Sequence, residues 1–445
     1  MDIPLDHLDR LVMQAHEAMR QAHAALRRGE GLEMPNPLEL DRYASRKDAW
    51  LELGELKGNA LSGALADWVH TLTLSRVLFQ DTRRIALAWH DPSLELLEPE
   101  QEKISLYALR RRWLSEREPA RAKLWAGAFS RGAGRVFEAE HIFAERRAHA
   151  LRLLGAADAQ AIEIPCDPPL AVMELADALL ARTDEFLEPA AGRRWESIVR
   201  AMLGRDVDAD FPARISARWL EQLFDAMGLL AGLRLELGPL PSPLGAASFV
   251  RALAQLGHAF ARAALPPGAP FSLSIRPFDL RLSRRAALFG ALPGDALFLK
   301  RSLGLGKDRA REQARKIARS LLLSLRLWAA RVLLRKVLEL DPKNRADAWQ
   351  EHTARALGDA IAGTLAGVLP RLSEHDACDF LGMLLSASDR RHLMERFDED
   401  WFRNPEAALA LRHEQSVLTP SPRASLADLK SALSELVASL ERALG

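Results

Sequence analysis

The chain has 445 residues, 48% hydrophobic and 27% charged, which is enough to bury a sizeable core and matches an ordinary globular protein. Its 61 Lys and Arg against 60 Asp and Glu leave a net charge of +1, which excludes the global bias of a nucleic-acid-coating or membrane-surface protein. Two cysteines, Cys166 and Cys378, far apart and without CxxC spacing, exclude a disulfide framework and a cysteine zinc site, and they fit a reducing cytoplasm.

In chain order the reading is helical almost throughout. The start, "MDIPLDHLDRLVMQAHEAMR", has neither a basic n-region nor an apolar h-region, so no signal peptide is expected. Over residues 5–28, Leu8, Leu11, Val12, Ala15, Met19 and Ala22 recur at helical spacing. Dense Ala, Leu, Arg and Glu predict further helices at about 46–80, 101–150, 169–187, 190–204, 212–228, 247–264, 283–303, 308–340, 344–369, 376–396 and 424–444. The most apolar run, "SLLLSLRLWAARVLL", carries Arg326 and Arg331, so it reads as a buried helix and no membrane span is expected.

Proline-rich breaks fall at 164–170, 237–245 and 265–280. The first divides the chain into an expected N-terminal helical region, 1–165, and a second region, 166–445. Only "LRLEL" (233–237) and "FSLSI" (271–275) alternate like strands, so any β element is expected there. The fold class is therefore mainly α with a minor β element.

Residues 276–336 hold 16 Lys and Arg against 4 Asp and Glu, a local excess of 16 − 4 = +12 that leaves about −11 for the rest. Arg315, Arg319, Arg326 and Arg335 read as a solvated helix face, and without interleaved aromatics nucleic acid is not an expected partner. "LGLGKD" (303–308) is no phosphate loop, since the pattern would need Gly at 301 and Ser or Thr at 308, where Arg301 and Asp308 stand. No GxSxG elbow is present, and Cys166 in "IPCDPP" has no neighbouring His, so it reads as a structural thiol. The last helix opens with Ser425 and Asp428 at capping-box spacing. Its Leu426, Leu429, Leu433, Leu436 and Leu440 form a seam for docking onto the protein's own body or for contacting a partner through 424–444.

One helix carries the functional question. "RALAQLGHAFAR" (251–262) interrupts a good helix former with Gly257, which costs roughly 1 kcal/mol against alanine, beside a single His258. A zinc peptidase helix uses HExxH, with two His one turn apart on one ion and a Glu that polarises its water. The chain has no HExxH and no HxxEH, and His16 and His23 are two turns apart, too far to share one zinc directly.

"AQLGHA" nevertheless resembles the "HExGHA" of the thimet oligopeptidase and oligoendopeptidase F group of gluzincin metallopeptidases. The resemblance puts Ala254 at the first His, Gln255 at the catalytic Glu, Gly257 at the family glycine, His258 at the second His and Ala259 at the small residue after it. The family's third ligand, a Glu about 25 residues on, falls at Ser283, and Leu288-Phe289 match its Leu-Phe pair. "DALFLKRSLGLG" and the stretch 379–412 with "DWFRNPEA" also resemble the family, so the likeness is collinear over about 235–412.

The resemblance implies a zincin-type helical architecture around a cleft. The departures imply lost chemistry. Alanine binds no metal, glutamine is no general base, and serine is a poor zinc ligand. The family's oxyanion-stabilising tyrosines have no counterpart, because Tyr43 and Tyr107 are the only tyrosines and "DFLGM" carries Phe380; His352, His375, His392 and His413 remain as donors.

The expectation is therefore a catalytically inactive metallopeptidase homologue, a cytoplasmic pseudoenzyme without zinc, that binds a peptide or protein in its cleft. An active zinc oligopeptidase with non-standard ligands and a purely structural helical scaffold are the alternatives. On the last reading His258 is a core histidine and Gly257 a close-packing position.

Overall fold

The computed structural model describes residues 4–39, 42–56, 59–92, 94–95, 102–155, 161–187, 194–203, 208–212, 216–230, 232–237, 245–416 and 423–444. The fold is mainly α. It opens with α1 (Leu5–Arg28), α2 (Lys47–Glu55) and α3 (Ala60–His90). α1 has the expected bounds because Leu8, Val12, Met19, Ala22 and Leu26 form one buried stripe, and Gly29 ends it in the left-handed conformation, φ 78°. The helix expected over 46–80 divides where Asn59 caps Leu61 N–H at 2.9 Å. The one expected over 101–150 becomes α4 (Leu106–Ser115), α5 (Pro119–Gly132) and α6 (Gly134–Leu154), with Pro119 starting α5 at the position where its missing N–H is harmless.

The second half runs through α7 (Ala171–Arg182), α8 (Trp195–Leu203), α9 (Ala217–Ala226), α10 (Ala246–Ala263) and a single turn α11 (Phe271–Ser274). It continues through α12 (Leu280–Ala291), α13 (Ala296–Leu303), α14 (Lys307–Leu340), α15 (Arg345–Leu357), α16 (Asp376–Phe397), α17 (Pro405–Ser416) and α18 (Leu426–Leu444).

The two expected strands are not strands. Leu233, Leu235 and Leu237 do turn inward while Arg234 and Glu236 face out, but no ladder among the described residues includes them. The proline-rich residues 238–244 lie outside the described residues. "FSLSI" is helical because Phe271 and Ile275 are also four apart, so both pack on the α1–α3 cluster. The buried Asp9 carboxylate accepts both Phe271 N–H and Ser272 N–H at 2.8 Å, which caps the turn. The β content lies elsewhere, in a Leu94–Glu95 and Lys103–Ile104 antiparallel pair and a Cys166–Asp167 and Ala424–Ser425 parallel pair. Both cysteines are free and buried.

A large core takes residues from either side of position 165, from Ile85 to Ala139 and from Cys166 to Leu440. α14, 34 residues and about 50 Å long, is its axis. The charge run over 276–336 is mostly answered inside the fold. Arg276 pairs with Asp67, Arg284 with Asp389, Arg285 with Glu414, Arg331 with Asp376 and Arg335 with Glu163.

Arg326 does not lie on a solvated face; it is fully buried. Its guanidinium donates to Leu180 O and Ala356 O at 2.7 Å, to Thr183 Oγ1 and Asp184 Oδ1 at 2.6 Å, and to Arg355 O at 2.7 Å. It thereby adds a donor to last-turn carbonyls of both α7 and α15, at the helix ends where carbonyls run short of partners.

Candidate functional site

α10, α12 and α16 lie side by side, and glycines set their spacing. A Cβ on Gly257 would lie 2.5 Å from Arg285 O and 2.8 Å from Phe289 Cδ2, so α10 touches the α12 backbone there. On the other face of α12, a Cβ on Gly382 of α16 would lie 2.7 Å from both Ser283 C and Ser283 Cβ. Gly290 lies against Ala254, where an added Cβ would be 3.2 Å from the alanine's methyl. Glycine is required at 257 and 382 because any side chain would displace backbone.

Beside this row α14 and α18 border an open cavity of about 850 Å³. Its walls are small and apolar on α10 and α12, with Ala247, Ala254, Ala286, Ala287, Gly290 and Ala291. From α16 come Asp379, Met383, Ser386, Arg390 and Met394, at a repeat of three and four. The last turns of α18 add Leu436, Ser439, Leu440 and Arg442. α18 is held in place by its seam, in which Leu429, Leu433, Val437 and Leu440 are buried, and by Ser425 Oγ accepting Asp428 N–H at 3.1 Å.

The five residues marked by the sequence separate into two groups. Ala254 and Ser283 line the cavity. Gln255 is exposed, Gly257 is buried in the α10–α12 contact, and His258 is half-buried and outside the lining. Burial lowers the His258 pKa from its ordinary value; Arg262 and His375 act in the same direction and Asp279 opposes them. None of His352, His375, His392 and His413 lines the cavity.

Ser283 Oγ donates to Asp379 Oδ1 at 2.8 Å and lies 3.6 Å from Cys378 Sγ. Burial raises the Asp379 pKa, while the Ser283 hydroxyl and the charges of His375 and Arg331 hold it down. Burial also pushes the Cys378 thiol far above the ordinary thiol range, so it is no nucleophile. A zinc ion does not fit these residues. Position 254 offers a methyl group, and the Ser283 hydroxyl is engaged with a carboxylate. Among the described residues no three His, Cys, Asp or Glu side chains are arranged to hold a metal.

Sequence reasoning missed Asp379, adjacent to the Phe380 it singled out. It also missed the lining arginines Arg251, Arg311, Arg390 and Arg442, and it read Arg315 as part of a solvated face and Arg331 only as a break in an apolar run. The available clue was the repeat Asp379, Met383, Ser386, Arg390, Met394, a mixed polar and flexible stripe along one helix.

No family model matches the chain, and no curated protein matches it. Solved structures do. A carboxypeptidase of Pyrococcus furiosus aligns over 98% of this chain and 98% of its own, at 13% identity and a TM-score of 0.53. A protein assigned as oligoendopeptidase F from Bacillus anthracis covers 98% of this chain and 85% of its own, at 13% identity and a TM-score of 0.46. PZ peptidase A covers 98% and 86%, at 11% identity and a TM-score of 0.47. No helix among the described residues is long and apolar enough to cross a membrane. The near-complete mutual coverage with the Pyrococcus carboxypeptidase establishes the fold: this chain has a peptidase-type helical architecture.

Proposed function

We propose that this protein is a cytoplasmic peptide-binding protein on a peptidase-type fold, with no zinc and no hydrolytic activity of its own. The observation that carries the reading is the pairing of Ala254 with Ser283. Both line the large cavity, at the positions where the metallopeptidase resemblance puts ligands, and they contribute a methyl group and an engaged hydroxyl. A catalytic zinc needs three protein donors and an open position. His258 is the one donor left, and Gln255 cannot activate water. The size and apolar walls of the cavity suit a peptide segment.

The test is metal analysis and an oligopeptide cleavage assay on the purified protein, beside the double variant Ala254→His with Ser283→Glu. The wild type should carry no stoichiometric zinc and cleave nothing. The variant should gain measurable zinc affinity, with His258 as third ligand and the new Glu beside Asp379. Stoichiometric zinc with cleavage in the wild type would establish the active-peptidase alternative. A folded variant that takes no zinc would remove the correspondence of positions 254, 258 and 283.

A further inference from the structure

We infer that a second, smaller cavity of this fold binds a free inorganic oxyanion of the phosphate or sulfate class; the inference does not depend on the peptide-binding reading above. The cavity measures about 80 Å³ and lies between α6, the end of α14, the first residue of α15 and the loop that enters α16. One water needs about 10–15 Å³ of such space, so there is room for an ion of four oxygens and none for a peptide segment. Arginines come to it from three helices: Arg147 from α6, Arg335 from α14 and Arg345 from α15. The acids that line it are Glu140, Glu374 and Asp376. One ion pair joins it to the large cavity, because Arg331 lines the first and its partner Asp376 lines the second.

Arg345 singles the place out, because every other charge in the lining has an opposite charge beside it. Arg147 and Arg335 share Glu163, and Asp376 faces Arg331. Glu140 Oε1 lies 3.5 Å from Arg371 Nε, and Glu374 Oε1 lies 3.6 Å from Arg147 Nε. Arg345 is 1% exposed and forms no ion pair among the described residues. Its Nη2 donates to Ala366 O, and its Cζ lies 4.9 Å from the centre of the Phe137 ring. Its Nε and Nη1 are buried with no hydrogen-bond partner among the described residues. A Cβ on Gly367 would overlap Nη2, so this glycine, at φ 76°, makes room for the guanidinium. A buried cation without a counter-charge is strongly unfavourable, and water would answer its N–H groups but not its charge. An oxyanion answers both, through charge-assisted hydrogen bonds to the guanidinium. The carboxylates nearby do not forbid it. Glu374 and Asp376 are already paired with arginines, and burial pushes the Glu140 carboxyl toward its neutral form, which can donate to an anion's oxygen.

The experiment uses the full-length protein, dialysed into a buffer whose only small anion is chloride. Sodium phosphate, sodium sulfate or, at matched ionic strength, more sodium chloride is added while the thermal melt is followed. Phosphate binding is measured by isothermal titration calorimetry, which should count one ion per chain. Saturating phosphate or sulfate should raise the melting temperature by roughly 2–4 °C over chloride. Two variants locate the ion. Arg345→Met removes the buried guanidinium, and Ala144→Leu fills the cavity from α6 while every arginine stays in place. Both should bind phosphate at least about tenfold more weakly, and their melts should no longer respond to it. If Arg345→Met does not fold, Ala144→Leu decides alone. Phosphate that stabilises no more than chloride, or either folded variant binding phosphate as the wild type does, would overturn the site. The space fits the bare ion, so O-phosphoserine should bind more weakly than phosphate; tighter binding would overturn the free ion as occupant in favour of a phosphorylated partner.

Discussion

Substitution of Gly257 by alanine separates propensity from packing. In an isolated helix the change is favourable by about 1 kcal/mol. In this fold the new methyl would lie 2.5 Å from Arg285 O, 2.8 Å from Phe289 Cδ2 and 3.0 Å from Phe289 Cβ. The first of these is backbone, so no rotamer change relieves it, and α12 must move away from α10. Ser283, Phe289 and Gly290 would move with it, and overpacking of this kind costs about 1–3 kcal/mol after relaxation. Displacing a helix backbone falls at the upper end, near 3 kcal/mol. Setting that against the propensity gain leaves a net loss of about 2 kcal/mol.

Gly63 in α3 is the control, because a Cβ there meets nothing within 4 Å. Gly63→Ala should raise stability by up to about 1 kcal/mol. Urea denaturation followed by circular dichroism gives both signs directly. If Gly257→Ala stabilises the protein as Gly63→Ala does, the close approach of α10 to α12 is wrong, and with it the placement of Ala254 and Ser283 in one cavity.

Replacing Arg326 with methionine takes the guanidinium donor from the carbonyls of Arg355 and Ala356 and the Thr183 hydroxyl and one of two donors from Leu180 O, so a loss of about 3–5 kcal/mol is expected in the same denaturation assay. Arg326→Lys should recover only part of it, because three ammonium donors cannot reach five acceptors; full recovery would contradict the clamp. Ending the chain at residue 422 uncovers the surfaces under Leu429, Leu433, Val437 and Leu440, so the melting temperature should fall and a hydrophobic dye should bind; an unchanged melt would show that α18 contributes nothing in cis. Burial against Trp68 and Phe271 takes the His16 pKa from 6.5 to about 4, and His23 and His258 are lowered too. Between those values the unfolded imidazoles bind protons that the folded ones refuse, so the histidines' share of the stability should fall as pH drops from about 6.5 toward 4, while Asp67, raised by burial to about 6, acts in the opposite direction. His16→Leu should flatten that slope, and an identical pH profile for the variant would refute the assignment.

Periodicity made α1 and α10 readable almost to the residue, because each buries one continuous stripe. It failed at "FSLSI", where the same five letters satisfy both a two-residue and a four-residue repeat. The decision came from Asp9, more than 260 residues away, whose carboxylate caps the turn. It failed for Arg326 and the 276–336 run for a related reason. Charge in a sequence window is visible, but the acids that answer it come from Asp67, Glu163, Asp184, Asp376, Asp389 and Glu414, and nothing local announces them.

The alanines were the least legible residues of all. In sequence, Ala247, Ala254, Ala286, Ala287, Ala291, Ala314 and Ala318 read as helix propensity. In the fold they are the cavity wall, while the glycines among them draw the same helices into contact one turn away. The two effects belong together. Gly257 and Gly382 bring α10, α12 and α16 close enough that larger side chains could have filled the space beside them, and packed interiors ordinarily are filled. These alanines and Gly290 keep it open. Leucine at Ala287 alone would put more than a methyl into that volume at no cost in helix propensity. The wall is thus small where neither propensity nor packing requires it, and the cavity accounts for it.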